Sequence, residues 1–294
     1  MVACAGRLPV SGPGTGAAVP GVETPATAPR NPGASAPDAR SAASDDAGAS
    51  RLTTLETTDP GLMAALARSA AAPRAASHRT TADAYARLCV VDAALGHLQL
   101  ALDADPRDPE TLEARARLWR DAGFPQMALG DAYRALHYSR GSASAHNTLG
   151  TVLQALGRRG EAARHYRLAA AVDAGAAYAW NNLCYASLLD DQAVEAIERC
   201  RQALRLDPDL TAAHNNLGLA YAAAGDLGAA RAAFERAGSP AATAFNMGIV
   251  QLSVGMFRDA AASFEHAGRL QPAWAEPPVR LRQASSRVEE GRPE

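Results

Sequence analysis

The stretch AAHNNLGLAYAAAGDLGAARAAFERA, residues 212–237, decides the fold. Leu217, Gly218 and Tyr221 share one face of a helix, because spacings of one, three and four residues return to the same side of a 3.6-residue turn. Gly225 interrupts the run, and a second helical stretch then places Ala230, Phe234 and Ala237 on one side. The two stretches form a hairpin: Gly218 and Ala230 are small where the helices need closest approach, and Phe234 fills the space beside them. Upstream, Pro208 follows Ala203-Leu204-Arg205-Leu206-Asp207 and ends the preceding helix, since proline cannot continue one. The same pattern stands 34 residues earlier as Trp180-x2-Leu183-Cys184-x2-Ser187, and again as His146-x2-Leu149-Gly150-x2-Leu153. The second halves agree at the same shift, Ala162-x3-Tyr166-x2-Ala169 and Ala196-x3-Cys200-x2-Ala203, with Gly157 and Asp191 at the turns. A single hairpin cannot bury its apolar face alone, so neighbours must stack into a continuous core.

Further copies extend the array both ways. One carries Met247-Gly248, Gly255, Ala260, Phe264, Ala267 and Pro272, after a linker at Gly238-Ser239-Pro240 four residues shorter than the period. Another carries Leu112, Ala116, Trp119, Gly123, Ala128 and Ala135, and the most degenerate has Ala82, Tyr85, Ala94, Leu98, Ala101 and Pro106. Together these residues resemble the tetratricopeptide repeat, W-x2-L-G-x2-Y followed by A-x3-F, A and P. Departures are Arg115 and Thr81 in place of Leu, and Cys200 and Ala132 in place of the second-helix aromatic. The resemblance implies an all-α, right-handed α-solenoid of about six helical hairpins that displays a concave groove for a partner segment.

Boundaries follow from the period. Residues 1–57 are rich in Pro, Ala and Gly without apolar periodicity, and are expected to form a disordered tether. A short leading helix is expected over 58–74, where Asp59-Pro60 supplies an N-cap and a first-turn proline. The array itself is read as 75–108, 109–142, 143–176, 177–210, 211–240 and 241–274, with a capping helix and tail over 275–294.

Composition narrows the function classes. The net charge is −2 and all 29 basic residues are Arg, so there is no general attraction for nucleic acid or an anionic membrane. No run of 18 apolar residues is present to span a bilayer. Val2-Ala3-Cys4-Ala5-Gly6 looks like the end of a bacterial lipoprotein signal, so Cys4 is a candidate lipidation site and the only expected tie to a membrane. The expected location is the bacterial cell envelope, lipid-anchored on the periplasmic side, if the start is truncated, and otherwise the cytoplasm. Cys184 and Cys200 fall on facing helices of one hairpin but are read as a helical turn out of step, which disfavours a bridge.

Chemistry-bearing motifs are absent from the sequence. His78, His146 and His214 recur at twice the period, in separate repeats, and are read as packing residues; no H-x3-H or H-E-x-x-H spacing occurs, so no metal or other cofactor is expected. Gly12, Gly14 and Gly16 follow no strand and do not make a phosphate loop. Asp45-Asp46 and Asp190-Asp191 are read as solvated charge, and no catalytic residue is assigned. Asn182, Asn216 and Asn246, with Thr148 one repeat earlier, precede the core Leu or Met and lie on a stripe with Tyr178, Tyr185, Leu189 and Leu219. In tetratricopeptide proteins the matching stripe lines the groove. The expected partner is therefore a protein or peptide, and the expected role is a non-enzymatic scaffold, with resemblance to the repeat lipoproteins that assemble Flp/Tad-type pili. The rival expectation is a substrate-recognition repeat region of, or associated with, a transferase. A Lys- and Arg-lined carboxylate clamp is not expected, because the stripe from Tyr178 to Asn246 has neither residue.

Overall fold

The computed structural model describes residues 58–290, so the expected tether and Cys4 lie outside the described residues. Within them the chain is all-α, a series of helical hairpins of the solenoid kind. The helices are α1 (Pro60–Ala71), α2 (Ala75–Arg87), α3 (Val91–Ala104), α4 (Pro109–Asp121), α5 (Pro125–Tyr138), α6 (Ala143–Ala155) and α7 (Arg159–Val172). They continue as α8 (Ala177–Leu189), α9 (Ala193–Leu206), α10 (Thr211–Ala223), α11 (Leu227–Ala237), α12 (Pro240–Ser253), α13 (Phe257–Leu270) and α14 (Glu276–Glu290). No strand occurs among the described residues. Two compact units divide them, one over 58–158 and one over 159–290.

Local chemistry sets the helix ends. Asp59 Oδ1 accepts the Leu62 amide at 2.7 Å and Pro60 opens α1. Asp226 and Ser239 cap α11 and α12 in the same way. Each first helix of a hairpin ends in a left-handed residue, and Gly123, Gly225 and Gly255 fill that place with φ of 87°, 85° and 78°. Asp191 holds the same place after α8 with φ 56°.

In the first unit the hairpins are α2/α3 and α4/α5, preceded by α1 and followed by α6. The two Leu departures have distinct compensations. Thr81 is fully buried, and its hydroxyl donates to the Ala65 and Ser77 carbonyls, each at 3.1 Å, which joins α2 to α1. Arg115 makes a two-pronged pair with Asp131, Nε to Oδ2 at 2.6 Å and Nη2 to Oδ1 at 2.9 Å, tying α4 to α5.

In the second unit α7 precedes the hairpins α8/α9, α10/α11 and α12/α13, and α14 packs on α13, where Ala284 joins Ala260 and Phe264 in one buried cluster. Across each hairpin one pair of residues, 16 apart in sequence, meets at the line of closest helix approach. A Cβ placed on Gly218 would overlap the Phe234 ring, and one on Gly248 would sit 2.7 Å from Phe264 Cε1. Glycine is therefore what lets each ring lie flat against the opposite helix.

The corresponding pair in α8/α9 is Cys184 and Cys200, also 16 apart, and they are joined in a disulfide with their Cα atoms 5.2 Å apart. This corrects the expectation that they stand a turn out of step. The physical reason is register: they occupy the same two positions as Gly218 and Phe234, where the helices are already close, so no backbone movement is needed to bring the Cβ atoms into bonding range. Both are fully buried.

Candidate functional site

The expected groove residues all lie on the first helices of the second-unit hairpins. Tyr178, Asn182, Tyr185 and Leu189 are on α8, Asn216 and Leu219 on α10, and Asn246 on α12. Tyr178 is exposed and the other six are half-buried. Leu219 spends part of its surface on the core, against the clusters that contain Leu217 and Phe234.

On this face consecutive hairpins are linked by a ladder of amides. Asn216 Nδ2 donates to Asn181 Oδ1 at 2.9 Å, and Asn246 Nδ2 donates to Asn215 Oδ1 at 3.1 Å. Each rung uses one donor and one acceptor, which leaves the Asn181 and Asn215 amino groups and the Asn216 and Asn246 carbonyls with bonding capacity for a ligand. The first unit has a rung of the same kind with a charged acceptor: the Thr148 hydroxyl donates to Glu113 at 3.0 Å, Ser144 donates to the same oxygen at 2.5 Å, and Arg117 pairs with it at 3.3 Å.

Sequence reading placed the donors Asn216 and Asn246 but missed their acceptors, Asn181 and Asn215. A signal for them exists, because Glu113, Asn147, Asn181 and Asn215 follow one another at 34 residues. It is invisible when one helix face is considered at a time, since each rung crosses between repeats.

Charge is sorted by helix in the second unit. Helices α8, α10 and α12 contain no Asp, Glu, Lys or Arg, whereas α9, α11 and α13 carry all the charged residues of the three hairpins' helices, among them Arg199, Arg201, Glu235 and Arg269. An arginine–glutamate pair such as Arg201 with Glu198, at 3.3 Å, is exposed and adds little to stability. The face that carries the ladder is therefore neutral, made of amides, tyrosines and small apolar groups.

The recurring histidines have local structural partners. His214 is buried, with Nε2 2.8 Å from the Pro208 carbonyl, so it fastens the start of α10 to the preceding turn. His78 Nδ1 lies 2.9 Å from the Ser69 hydroxyl and 3.2 Å from His97 Nδ1. Burial holds the His146 imidazole below its ordinary pKa. Among the described residues no three His, Cys, Asp or Glu side chains are grouped to hold a metal ion, and no helix is long and apolar enough to cross a membrane.

Comparison with known proteins agrees with this architecture. Residues 194–225, which run from α9 through α10, match the family model described as TPR repeat. No curated protein matches the chain. Among solved structures the chain is similar to the Cut9–Hcn1 hetero-tetramer of the APC/C, at 17% identity and a TM-score of 0.65, covering 79% of this chain and 48% of that one. It is similar to PilW, titled a widely conserved type IV pilus biogenesis factor, at 19% identity and a TM-score of 0.60, covering 72% of this chain and 98% of that one. It is also similar to PilF of Pseudomonas aeruginosa, at 18% identity and a TM-score of 0.56, covering 72% and 96%. At these identities the likeness is one of fold. With the 34-residue period and the hairpin geometry, it gives the described residues the fold of a tetratricopeptide-repeat array, with the family match itself over 194–225.

Proposed function

We propose that the neutral face of α8, α10 and α12 binds an uncharged segment of a partner protein, and that the protein acts as a non-enzymatic assembly scaffold. The observation that carries this is the pairing of the amide ladder with the absence of charged residues from all three helices. Half-used amides offer donors and acceptors at each rung and suit a peptide backbone without reading its side chains, while Tyr178 and Tyr185 supply apolar contact area. A partner held this way owes little to ion pairing, so its capture survives salt that screens surface charge. The fold likeness to PilW and PilF supports a place for such a scaffold in building a bacterial envelope machine such as a pilus. A lipid at the candidate site Cys4 would fit that setting.

The test is recovery of partners from the native host with wild type and with Asn182→Ala/Asn216→Ala. The wild type should retain its partner at about 1 M NaCl, where the screening length is near 3 Å. The double variant should lose most of it while staying helical, with a stability cost of about 0.5–1.5 kcal/mol for each of the two asparagines' severed contacts. Identical recovery by both proteins would end this reading.

A further inference from the structure

The hairpins do not all close their contact lines with the same device. Hairpins α10/α11 and α12/α13 seat an aromatic ring on a glycine. Hairpin α4/α5 has only Ala116 and Ala132 at the corresponding positions, both fully buried, and adds the two-pronged Arg115–Asp131 pair beside them. Hairpin α8/α9 has the Cys184–Cys200 bridge. Around that bridge the small residues Ala179, Ser187, Ala196 and Ala203 are buried beside Leu188, Ile197 and Leu204, and Ser187 stands where Tyr221 stands in the next repeat. Arg199 reaches over to the Ser187 hydroxyl at 2.5 Å and the Leu183 carbonyl at 3.3 Å, two neutral acceptors in place of the carboxylate of α4/α5, and pairs with Glu195 on its own helix.

We propose that α8/α9 is a redox-closed joint, the one hairpin of the second unit whose packing depends on an oxidised pair of cysteines. Reduced, its contact line has neither a ring nor a covalent tie at the 184/200 position, and holds through the aliphatic contacts of Leu188, Ile197 and Leu204 alone. The consequence reaches the ladder, because α8 carries Asn181, the acceptor for Asn216, together with Tyr178, Asn182, Tyr185 and Leu189. To that extent the inference rests on the proposed groove, but the state of the joint is measurable without any partner. It also predicts that the closed form belongs to a compartment that oxidises thiols, such as the bacterial periplasm.

The chemistry is thiol–disulfide exchange. With glutathione disulfide as oxidant, the thiolate of one cysteine attacks a glutathione sulfur and expels one glutathione, forming a mixed disulfide. The second cysteine's thiolate then attacks the protein sulfur of that mixed disulfide and expels the other glutathione. Two cysteine thiols are oxidised, one disulfide is reduced to two glutathione thiols, and the two cysteine protons end on those thiols. Because both sulfurs are buried in the closed hairpin, reduction requires opening it, so the reduced form is prepared by unfolding and refolding the full chain with reductant.

The deciding measurement is amide hydrogen exchange over residues 177–206 in the full-length protein. Oxidised wild type should be protected there, and reduced wild type should exchange at least about tenfold faster in that segment than the oxidised form. Cys184→Ala/Cys200→Ala should behave as the reduced form. Cys184→Gly/Cys200→Phe, which installs the pair used by the next two hairpins, should be protected with or without reductant. Equal protection of oxidised and reduced wild type overturns the proposal, and so does redox-sensitive exchange of 177–206 in the Gly/Phe variant. Loss of partner recovery with protection unchanged would count against the groove instead.

Discussion

Hairpins α8/α9 and α10/α11 are neighbours built on one pattern, yet they hold together by opposite means. In α10/α11 a glycine yields its side-chain space to Phe234, and closure is van der Waals contact of a ring with a bare backbone. In α8/α9 two side chains of equal, modest size meet at the same positions and are joined covalently. The first device works in any compartment, while the second works only where it has been oxidised. Repeat arrays permit this, because each hairpin contacts only its neighbours and stability is close to a sum of local terms. One hairpin can therefore depend on conditions that leave the next indifferent.

Removing each device in turn puts the comparison under the greatest stress. Phe234→Ala empties the space beside Gly218 and should cost about 3–5 kcal/mol, while Cys184→Ala/Cys200→Ala should cost about 2–4 kcal/mol for a closed loop of this length. Denaturant unfolding measures both. The decisive feature is the reductant: it should destabilise the second unit of Phe234→Ala further, because the bridge there is intact, and leave that of the Cys variant unmoved. A Phe234→Ala protein as stable as wild type would show that the ring does not close α10/α11.

A smaller effect separates the two pairs by size. Gly248→Ala adds a methyl 2.7 Å from Phe264 Cε1, and Phe264 is fully buried with Phe245 edge-on at 5.5 Å, so the ring has little room to yield. The expected loss is about 1–3 kcal/mol, despite alanine's better helix propensity. The residue corresponding to Gly248 in α8/α9 already carries a Cβ, that of Cys184, without penalty, because no ring faces it. A neutral Gly248→Ala would mean that the aromatic pairs are looser than the structure places them.

Much of this was legible in the sequence. Hydrophobic spacing and the 34-residue shift located the hairpins, and Gly218 with Phe234 identified the contact line before any coordinates. The same 16-residue separation was available for Cys184 and Cys200, and applying it would have paired them. Treating the two cysteines by helix geometry alone, without the turn that sets the register, placed them a turn apart. The amide rungs were half legible for a related reason: the donors Asn216 and Asn246 stand out by position, but Asn181 and Asn215 become partners only when neighbouring repeats are stacked. Charge replacements such as Arg115 were visible as departures, and their meaning waited on Asp131 across the hairpin.

The smallest test of the comparison lies at the turn. After α10 and α12 the left-handed place is glycine, and the chain closes with Gly225 N to Ala222 O at 2.9 Å and Asp226 N to Tyr221 O at 2.9 Å. After α8 the same closure is made around Asp191, with Asp191 N to Leu188 O at 3.2 Å and Gln192 N to Ser187 O at 2.9 Å. The backbone is therefore already shaped for glycine, and Asp191 is exposed at a φ of 56°. Asp191→Gly removes the cost of a Cβ in that conformation, partly offset by the greater freedom glycine gives the unfolded chain, so a net gain of at most about 1 kcal/mol is expected. Denaturant midpoints of the oxidised protein would show it. Measured again in the reduced protein, the gain should persist, because the bridge holds the middle of α8 at Cys184, seven residues before the turn at Asp191. A loss of stability instead would show that the Asp191 carboxylate contributes to closing the bridged hairpin, which would then rest on more than its two cysteines.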